Sequence, residues 1–304
     1  MTGTSETPPD RFSVVIPTHD RAASVLARVA EIRAGDEPAD EIIVVSDGST
    51  DGTEDLLCAV AGPDLRVLTT PGLGPASARN LGAGTATGEW LVFLDDDDLP
   101  SPGWMRTWRS LAAKHPRASY LSTAYFHRTG PDQHVAQTRR LGPAFSSVRA
   151  SYMPGTYAVR REAFASVGGF GEGLRFLECT ELAVRIFDRL ASRPDAFADG
   201  TEPSITRMHR PAAEREAVRP GIRVPSSRRA IAAMRPFLER DPAFLANCLA
   251  ALGVAEIRFG EATTGRRTLL EAARVDPWPP RHVLRAAVAS VPPLRRRAWL
   301  RGVS

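Results

Sequence analysis

Short apolar runs alternate with helical stretches near the start of the chain, and this alternation constrains the fold more than any other feature. The runs are FSVVIPT (Phe12 to Thr18), DEIIVVSD, LRVLTT and EWLVFL, which are short, apolar and mostly rich in β-branched residues. A helical segment spans roughly Ala22 to Arg33, and another begins at DGTEDLLCAV, with Asp51 or Thr53 as its N-cap. Strands that alternate with helices form a largely parallel sheet with right-handed crossovers. The sequence therefore predicts an α/β fold.

Polar clusters follow three of these runs. PTHDR follows the first run, SDGSTD the second, and four consecutive aspartates, Asp95 to Asp98, the fourth. Taken alone, such a charge run is more typical of a solvated acidic turn. In parallel sheets, however, ligands bind beyond the carboxyl ends of the strands. Three polar clusters at that same edge favour a ligand site.

The aspartates suit a hard divalent cation. Mg²⁺ and Mn²⁺ prefer carboxylate oxygens and often keep open positions for substrate phosphates. In an extended segment Asp95 and Asp97 would point to one side, while Asp96 and Asp98 would face elsewhere, free to reach a ribose. Arg79, in the stretch SARN, could supply a further cation beside a bound diphosphate.

The rest of the chain changes character twice. Residues 120–205 are less regular and contain a strand, a short helix and a glycine turn in YMPGTYAVRREAFASVGGFGEGL, then an amphipathic helix in ECTELAVRIFDRLASR. Beyond about Pro211 the sequence is rich in Ala, Leu and Arg with helical periodicity, which predicts paired helices. The predicted organisation is a flexible tail (1–10), an α/β domain (11–210) and a helical extension (211–304).

Composition excludes several classes of protein. The chain of 304 residues has 43% hydrophobic and 24% charged residues, which is the composition of a folded protein and not of a disordered one. Its three cysteines form no CxxC pair, which argues against a zinc ribbon or disulfide framework and fits a reducing cytoplasm. No apolar stretch approaches the roughly 20 residues that span a bilayer, and the first residues lack the apolar core of a signal peptide.

The C-terminal stretch RHVLRAAVASVPPLRRRAWLRGVS carries six arginines and no acidic residue. A helical cap that leaves these arginines in water is the plainer interpretation. The alternative is peripheral contact with the anionic inner face of a membrane, or with a partner. The predicted location is therefore cytoplasmic, with this membrane contact as the open alternative.

Four of the motifs carry a family resemblance. VVIPTHDR resembles the opening strand and loop of glycosyltransferase family 2, and IIVVSDGSTDGT resembles its second strand. ASARNLGAGTATGEWLVFLDDDD resembles its helix and DxD strand, and RREAFASVGGFGEGL its acceptor-side segment. The resemblance covers roughly residues 12–210. It implies the GT-A fold, a mostly parallel sheet flanked by helices, followed here by the C-terminal helical extension.

The resemblance also implies a ligand set, namely a nucleotide-diphosphate sugar as donor and Mn²⁺ or Mg²⁺ as cofactor. Nucleic acid is not among the implied partners. The implied donor-binding residues are Pro17, Thr18, Arg21, Asp47, Arg79, Asp95 and Asp96. The implied metal ligands are Asp95, Asp97 and His209, although a lone histidine is as often structural.

The sequence departs from the family pattern at two positions. The family usually has two aspartates before the glycine of the second motif, and here the first is Ser46, which leaves the nucleotide base open. Relatives usually show Glu-Asp before the late helix, with the Asp as general base. Aligning ECTELAVRI on its Leu and Arg places Glu178 at the Glu and Cys179 at the base. Because a neighbouring carboxylate disfavours a thiolate, Glu178 is the predicted catalytic base, with Glu181 behind it.

These residues predict a metal-dependent, inverting glycosyltransferase of the hexosyltransferase kind, which moves a sugar to a hydroxyl or similar acceptor. The acceptor (a glycan, a lipid-linked molecule or a small molecule) and the oligomeric state stay open. The alternative from another class is a sugar-nucleotide-binding protein of the same fold whose catalytic base is lost or weakened. A nucleotidyltransferase is a weaker reading, because no glycine-rich phosphate loop with a basic residue follows the first strand.

Overall fold

The computed structural model describes residues 10–129, 132–208, 220–278 and 280–299. The chain divides into two compact units. The sheet unit comprises residues 1–140, 149–172 and 192–209, and the helical unit comprises residues 141–148, 173–191 and 210–304. The α/β domain predicted at 11–210 includes residues 141–148 and 173–191, which belong to the helical unit here. The predicted domain limits stay a prediction.

The sheet unit contains the strands of the molecule. Their bounds are β1 Phe12–Thr18, β2 Glu41–Asp47, β3 Leu65–Thr70, β4 Trp90–Phe93, β5 Leu99–Pro100, β6 Tyr120–Thr129, β7 Asp132–Ala136, β8 Arg139–Arg140, β9 Arg149–Ala150, β10 Tyr157–Arg160 and β11 Phe197–Met208. Its helices are α1 Ala22–Ala34, α2 Thr53–Ala59, α3 Pro75–Thr85, α4 Trp104–Lys114 and α5 Arg161–Ser166, with a 3₁₀ turn at Pro194–Ala196.

One nine-stranded sheet organises this unit, in the order β3-β2-β1-β4-β10-β6-β11-β5, with β7 paired to β6. The strands β3, β2, β1 and β4 are mutually parallel, whereas β10 is antiparallel to both β4 and β6. Because β11 runs parallel to β6, six of the nine strands share one direction, and β10, β5 and β7 oppose them. The predicted α/β fold with a mostly parallel sheet is confirmed.

The central strands form the core. Every residue of β1 and β2 is buried, as their continuous apolar runs predict for strands covered on both faces. Phe12 stacks on Trp90 with ring centroids 5.9 Å apart, across the parallel pair β1 and β4. Helix α3 lies close to the sheet at Gly82, where a Cβ atom would lie 2.5 Å from Cγ1 of Val15. The small residues of α3 therefore allow this helix to lie close against β1 and β2.

The helical unit contains α6 Glu178–Arg189, α7 Pro220–Leu238, α8 Pro242–Arg258, α9 Ala262–Val275, α10 Arg281–Ser290 and α11 Pro292–Trp299, with a 3₁₀ turn at Pro143–Phe145. Helices α8 and α9 pack closely, since a Cβ on Gly265 would lie 2.5 Å from the carbonyl oxygen of Gly253. The predicted C-terminal helices are thus confirmed from Pro220 onward. None of the described helices has an apolar stretch long enough to cross a membrane.

Candidate functional site

The four aspartates form a turn and do not extend the strand. Strand β4 ends at Phe93, and the amide of Asp98 donates to the carbonyl of Asp95 at 3.2 Å. The expectation of an extended segment is therefore wrong. The turn nevertheless separates the side chains in the expected pairs, because Asp95 and Asp97 are partly exposed while Asp96 and Asp98 are each 2% exposed.

The carboxylate of Asp96 is anchored to the end of β1. Thr18 Oγ1 donates to its Oδ2 at 2.8 Å, and Arg21 Nη1 donates to its Oδ1 at 2.8 Å. Asp96 faces elsewhere than Asp95 and Asp97, as expected, but it is not free, and its contact with a ribose stays a prediction. Buried carboxylates need such partners, and here a threonine and an arginine supply them. Thr18, Arg21 and Asp96 together hold the aspartate turn in place.

Arg21 keeps its charge in this cluster. Burial lowers the pKa of its guanidinium, but the attraction of Asp96, with smaller contributions from Asp97 and Asp95, outweighs burial and raises the pKa overall. Arg21 and Arg79 are thus two cations beside the four aspartates, so the carboxylates outnumber the arginines. A divalent cation could bind such a cluster while each arginine keeps a carboxylate partner.

A second anchor comes from helix α3. Arg79 is buried, and its Nη2 donates to Asp95 Oδ1 at 2.5 Å. Its guanidinium carbon lies 5.4 Å from the centroid of the Phe170 ring. The aspartate turn is therefore tied to β1 through Asp96 and to α3 through Asp95.

Asn80 extends this second anchor to the glycine turn after α5. Its Nδ2 donates to the carbonyl of Phe170 at 2.9 Å, and the amide of Phe170 donates back to its Oδ1 at 2.8 Å. The sequence does not predict this clamp, because nothing in the stretches SARN and GGF shows that the two segments come together.

Asp47, at the end of β2, accepts hydrogen bonds from the loop that follows β3. Its Oδ1 accepts hydrogen bonds from the hydroxyl of Thr70 at 2.5 Å and from the amide of Leu73 at 2.7 Å, and its Oδ2 accepts from the amide of Gly74 at 2.7 Å. This carboxylate thereby shapes the loop that leads into α3. The neighbouring Ser46 is fully buried, and within the described residues its hydroxyl has no hydrogen-bond partner.

The sheet unit therefore gathers most of the predicted donor-binding residues at one edge of the sheet. Pro17 lies in β1 opposite Val45 of β2, one residue before Thr18. The side chains at this edge bind in separate groups: Asp96 binds Thr18 and Arg21, Asp95 binds Arg79 of α3, and Asp47 binds the loop that leads into α3. His209 lies outside the described residues.

The predicted catalytic residues belong to the helical unit. Glu178 is the first residue of α6, and the thiol of Cys179 lies 3.6 Å from its Oε1 as a hydrogen-bond donor. Glu181 is buried and holds Arg185 through both oxygens, with Nε–Oε1 at 2.6 Å and Nη2–Oε2 at 2.5 Å. Both carboxylate oxygens of Glu181 are therefore engaged by Arg185.

The aspartate turn fits a metal that arrives together with a diphosphate. Among the described residues, no group of three or more His, Cys, Asp or Glu side chains could hold a metal ion by itself. Mg²⁺ commonly binds through one or two carboxylates and completes its coordination with substrate phosphates and water. The partly exposed Asp95 and Asp97 are hard oxygen donors of that kind.

Comparison with known sequences shows that the chain is similar to glycosyltransferases. The model of the family described as "Glycosyl transferase family 2" matches residues 13–169. A pre-mycofactocin glycosyltransferase of Mycobacterium tuberculosis is 30% identical over 201 residues, which are 61% of this chain and 41% of that protein. An uncharacterized glycosyltransferase of Haemophilus influenzae is 24% identical over 194 residues, 60% of this chain and 64% of that protein. The matches thus span less than two thirds of these relatives' lengths.

Solved structures share the fold. S. aureus TarS residues 1–349, in complex with UDP-GlcNAc, superposes with a TM-score of 0.62 at 17% identity, covering 92% of this chain and 90% of that one. Glucosyl-3-phosphoglycerate synthase from Mycobacterium tuberculosis, in complex with Mn²⁺, UDP and glucosyl-3-phosphoglycerate, superposes with a TM-score of 0.54 at 24% identity. That match covers 76% of this chain and 80% of the other. At these identities the likeness shows the fold alone.

Proposed function

Since the chain belongs to glycosyltransferase family 2, we propose that it transfers a sugar from a nucleotide-diphosphate donor to a hydroxyl acceptor, with inversion at the anomeric carbon and with Mn²⁺ or Mg²⁺. The single observation that carries this proposal is the anchoring of the aspartate turn. Thr18 and Arg21 hold Asp96, Arg79 holds Asp95, and the turn still leaves Asp95 and Asp97 partly exposed.

This arrangement is preorganised for a charged ligand. The carboxylates are fixed before anything binds, so little side-chain ordering is needed when a ligand arrives. A solvated acidic turn would not need one buried arginine and one half-buried arginine to hold it. When bound, the cation would neutralise the diphosphate and stabilise the charge that develops on the leaving nucleotide. Asp95 and Asp97 would hold it, and Arg79 would orient Asp95.

We assign the base to Glu178. Inversion needs a group that takes the proton of the acceptor hydroxyl as that oxygen attacks the anomeric carbon. The assignment rests on the sequence register of α6 and on its local geometry. Cys179 is a hydrogen-bond donor to Glu178, and Glu181 is held by Arg185 through both oxygens. The carboxylate of Glu178 is partly exposed at the first position of α6, whereas Glu181 is buried.

A second candidate function is supported by Cys179. The family's usual base position holds a thiol, and the same thiol donates to the remaining carboxylate. A protonated thiol at that position cannot take the proton of the acceptor hydroxyl. On this alternative the protein binds a sugar nucleotide and turns it over slowly or not at all.

A donor screen tests both candidates. The solved structures with this fold contain UDP, UDP-GlcNAc or UDP-glucose, so uridine is the first base to test. Thermal unfolding with each nucleotide sugar, with and without Mn²⁺, is expected to show one donor that raises the Tm only when the metal is present. Donor hydrolysis or transfer is then measured with that compound. Turnover supports the enzyme, binding without turnover supports the alternative, and no Tm shift with any donor contradicts both.

A further inference from the structure

Helix α10 carries aliphatic side chains on the side that faces away from the helical unit. His282, Ala286 and Ala289 are buried and form the side that packs into the helical unit. At 100° per residue the opposite side is formed by Val283, Leu284, Ala287 and the following Val291. Val283 is 45% exposed, Leu284 65% and Val291 42%, so an aliphatic strip faces solvent where a surface helix normally carries polar residues.

Two further large apolar side chains are exposed on the segments next to α10. Trp278, just before α10, is 79% exposed, and Leu294 on α11, which packs on α10, is 48% exposed. Single exposed apolar residues are common, but a group of them marks an interaction surface. We call Trp278, Val283, Leu284, Val291 and Leu294 the α10 surface.

The charges around the α10 surface indicate its partner. Arg281 and Arg285 are exposed and lie along one flank of the strip, four residues apart. The sequence from residue 277 to 304 contains six arginines and no aspartate or glutamate. A second copy of this chain would bring arginines against arginines in a self-complementary contact, which like charges oppose.

We propose that the α10 surface docks on an anionic lipid bilayer. Aliphatic and tryptophan side chains bounded by arginines form the composition of helices that lie in the membrane interface, with the apolar side among the acyl chains and the cations at the headgroups. This inference goes beyond the proposed transfer reaction and does not depend on it.

Vesicle flotation of the full chain tests the proposal. The protein is expected to float with vesicles that contain phosphatidylglycerol in phosphatidylcholine, and to stay at the bottom of the gradient with vesicles of phosphatidylcholine alone. Added salt weakens the binding, because it screens the arginines. No flotation with anionic vesicles at low salt overturns the proposal.

Matched variants separate the α10 surface from overall charge. Arg281→Glu with Arg285→Glu is expected to lower the bound fraction about tenfold or more, since each basic residue near the surface contributes to binding. Arg266→Glu with Arg267→Glu, which are exposed on α9, has the same net charge and is expected to bind nearly as the wild type. Equal losses in the two double variants would reduce the effect to net charge and overturn the proposal.

The apolar contribution is tested by Leu284→Ser with Trp278→Ser. Both side chains are exposed, so the fold is expected to persist, and an unchanged Tm verifies it. Binding falls about tenfold or more if the strip enters the bilayer. Leu56→Ser on α2, 46% exposed in the wild type, is the control that keeps wild-type binding. Concentration-dependent dimers that Leu284→Ser abolishes, with no lipid binding, would overturn the proposal in favour of a second copy.

Discussion

Arg79 donates to Asp95 at 2.5 Å, and this ion pair joins helix α3 to the turn that follows β4. The guanidinium is buried, whereas the carboxylate is 25% exposed. One partner of the pair therefore lies in the protein interior, and the other is partly open to solvent. The same contact fixes the position of a carboxylate that we propose as a metal ligand.

Breaking this pair is expected to cost stability. Asp95→Asn removes a charged partner from the buried Arg79, and the free energy of unfolding should fall by about 2–3 kcal/mol. Arg79→Met, Asp95→Asn and the double variant form a cycle whose coupling should be about 1–3 kcal/mol in urea unfolding. The exposed pair Arg117 and Asp195, 3.8 Å apart, is the control and should couple by at most about 0.5 kcal/mol. A coupling at Arg79 and Asp95 no larger than this control would contradict the structural role.

Donor binding is expected to require metal through Asp97. Asp97→Asn keeps the size of the side chain and removes the charge that holds a hard cation. Calorimetric affinity for the donor nucleotide with Mn²⁺ should fall about tenfold or more, while the weak affinity without metal stays the same. Asp55→Asn, an exposed acid on α2, is the control. Wild-type donor affinity in Asp97→Asn would contradict the proposed metal-binding role of Asp97.

The base assignment gives a pattern across α6. Glu178→Gln should leave donor affinity nearly intact while the transfer rate falls about 100-fold or more. Cys179→Ala should change the rate little, and Cys179→Asp should raise it by restoring the family's usual carboxylate. Glu181→Gln should act on stability, because it removes half of a buried pair with Arg185. A rate loss confined to Glu181→Gln would move the base by three residues. Donor affinity is measured for each variant, since relatives commonly use the equivalent of Glu178 to hold the donor sugar.

His282 predicts a pH dependence of stability. Burial lowers its pKa below the ordinary value of 6.5, and the charges of Arg281 and Arg285 lower it further, whereas Asp276 acts weakly in the other direction. Arg281 Nε donates to His282 Nε2 at 3.3 Å, which fits a neutral imidazole.

The sign follows from proton linkage. Between the lowered pKa and 6.5 the unfolded chain binds more protons than the folded one, so stability is full above pH 6.5 and decreases as the pH falls below it. Denaturant unfolding across this range should show the decrease, and His282→Gln should flatten it. His115→Gln, at an exposed histidine, should keep the wild-type slope. An equal slope in His282→Gln would remove His282 as its cause.

The sequence by itself determined the order and type of the main elements. The runs at Phe12–Thr18 and Glu41–Asp47 are β-branched and uninterrupted, which only a strand covered on both faces accommodates, and their alternation with helices leads to a parallel sheet. The polar clusters then fall at one edge, because parallel strands all end on the same side. Local chemistry was sufficient for these conclusions.

Only the tertiary structure decided what each polar side chain does. Asp96 and Asp97 are adjacent and chemically identical, yet Asp96 is buried against Thr18 and Arg21 while Asp97 stays partly exposed. The partners that make this difference lie about 75 or more positions away along the chain. Hydrogen bonds and burial depend on which distant residues meet, and a strand pattern read along the sequence carries no information about those meetings.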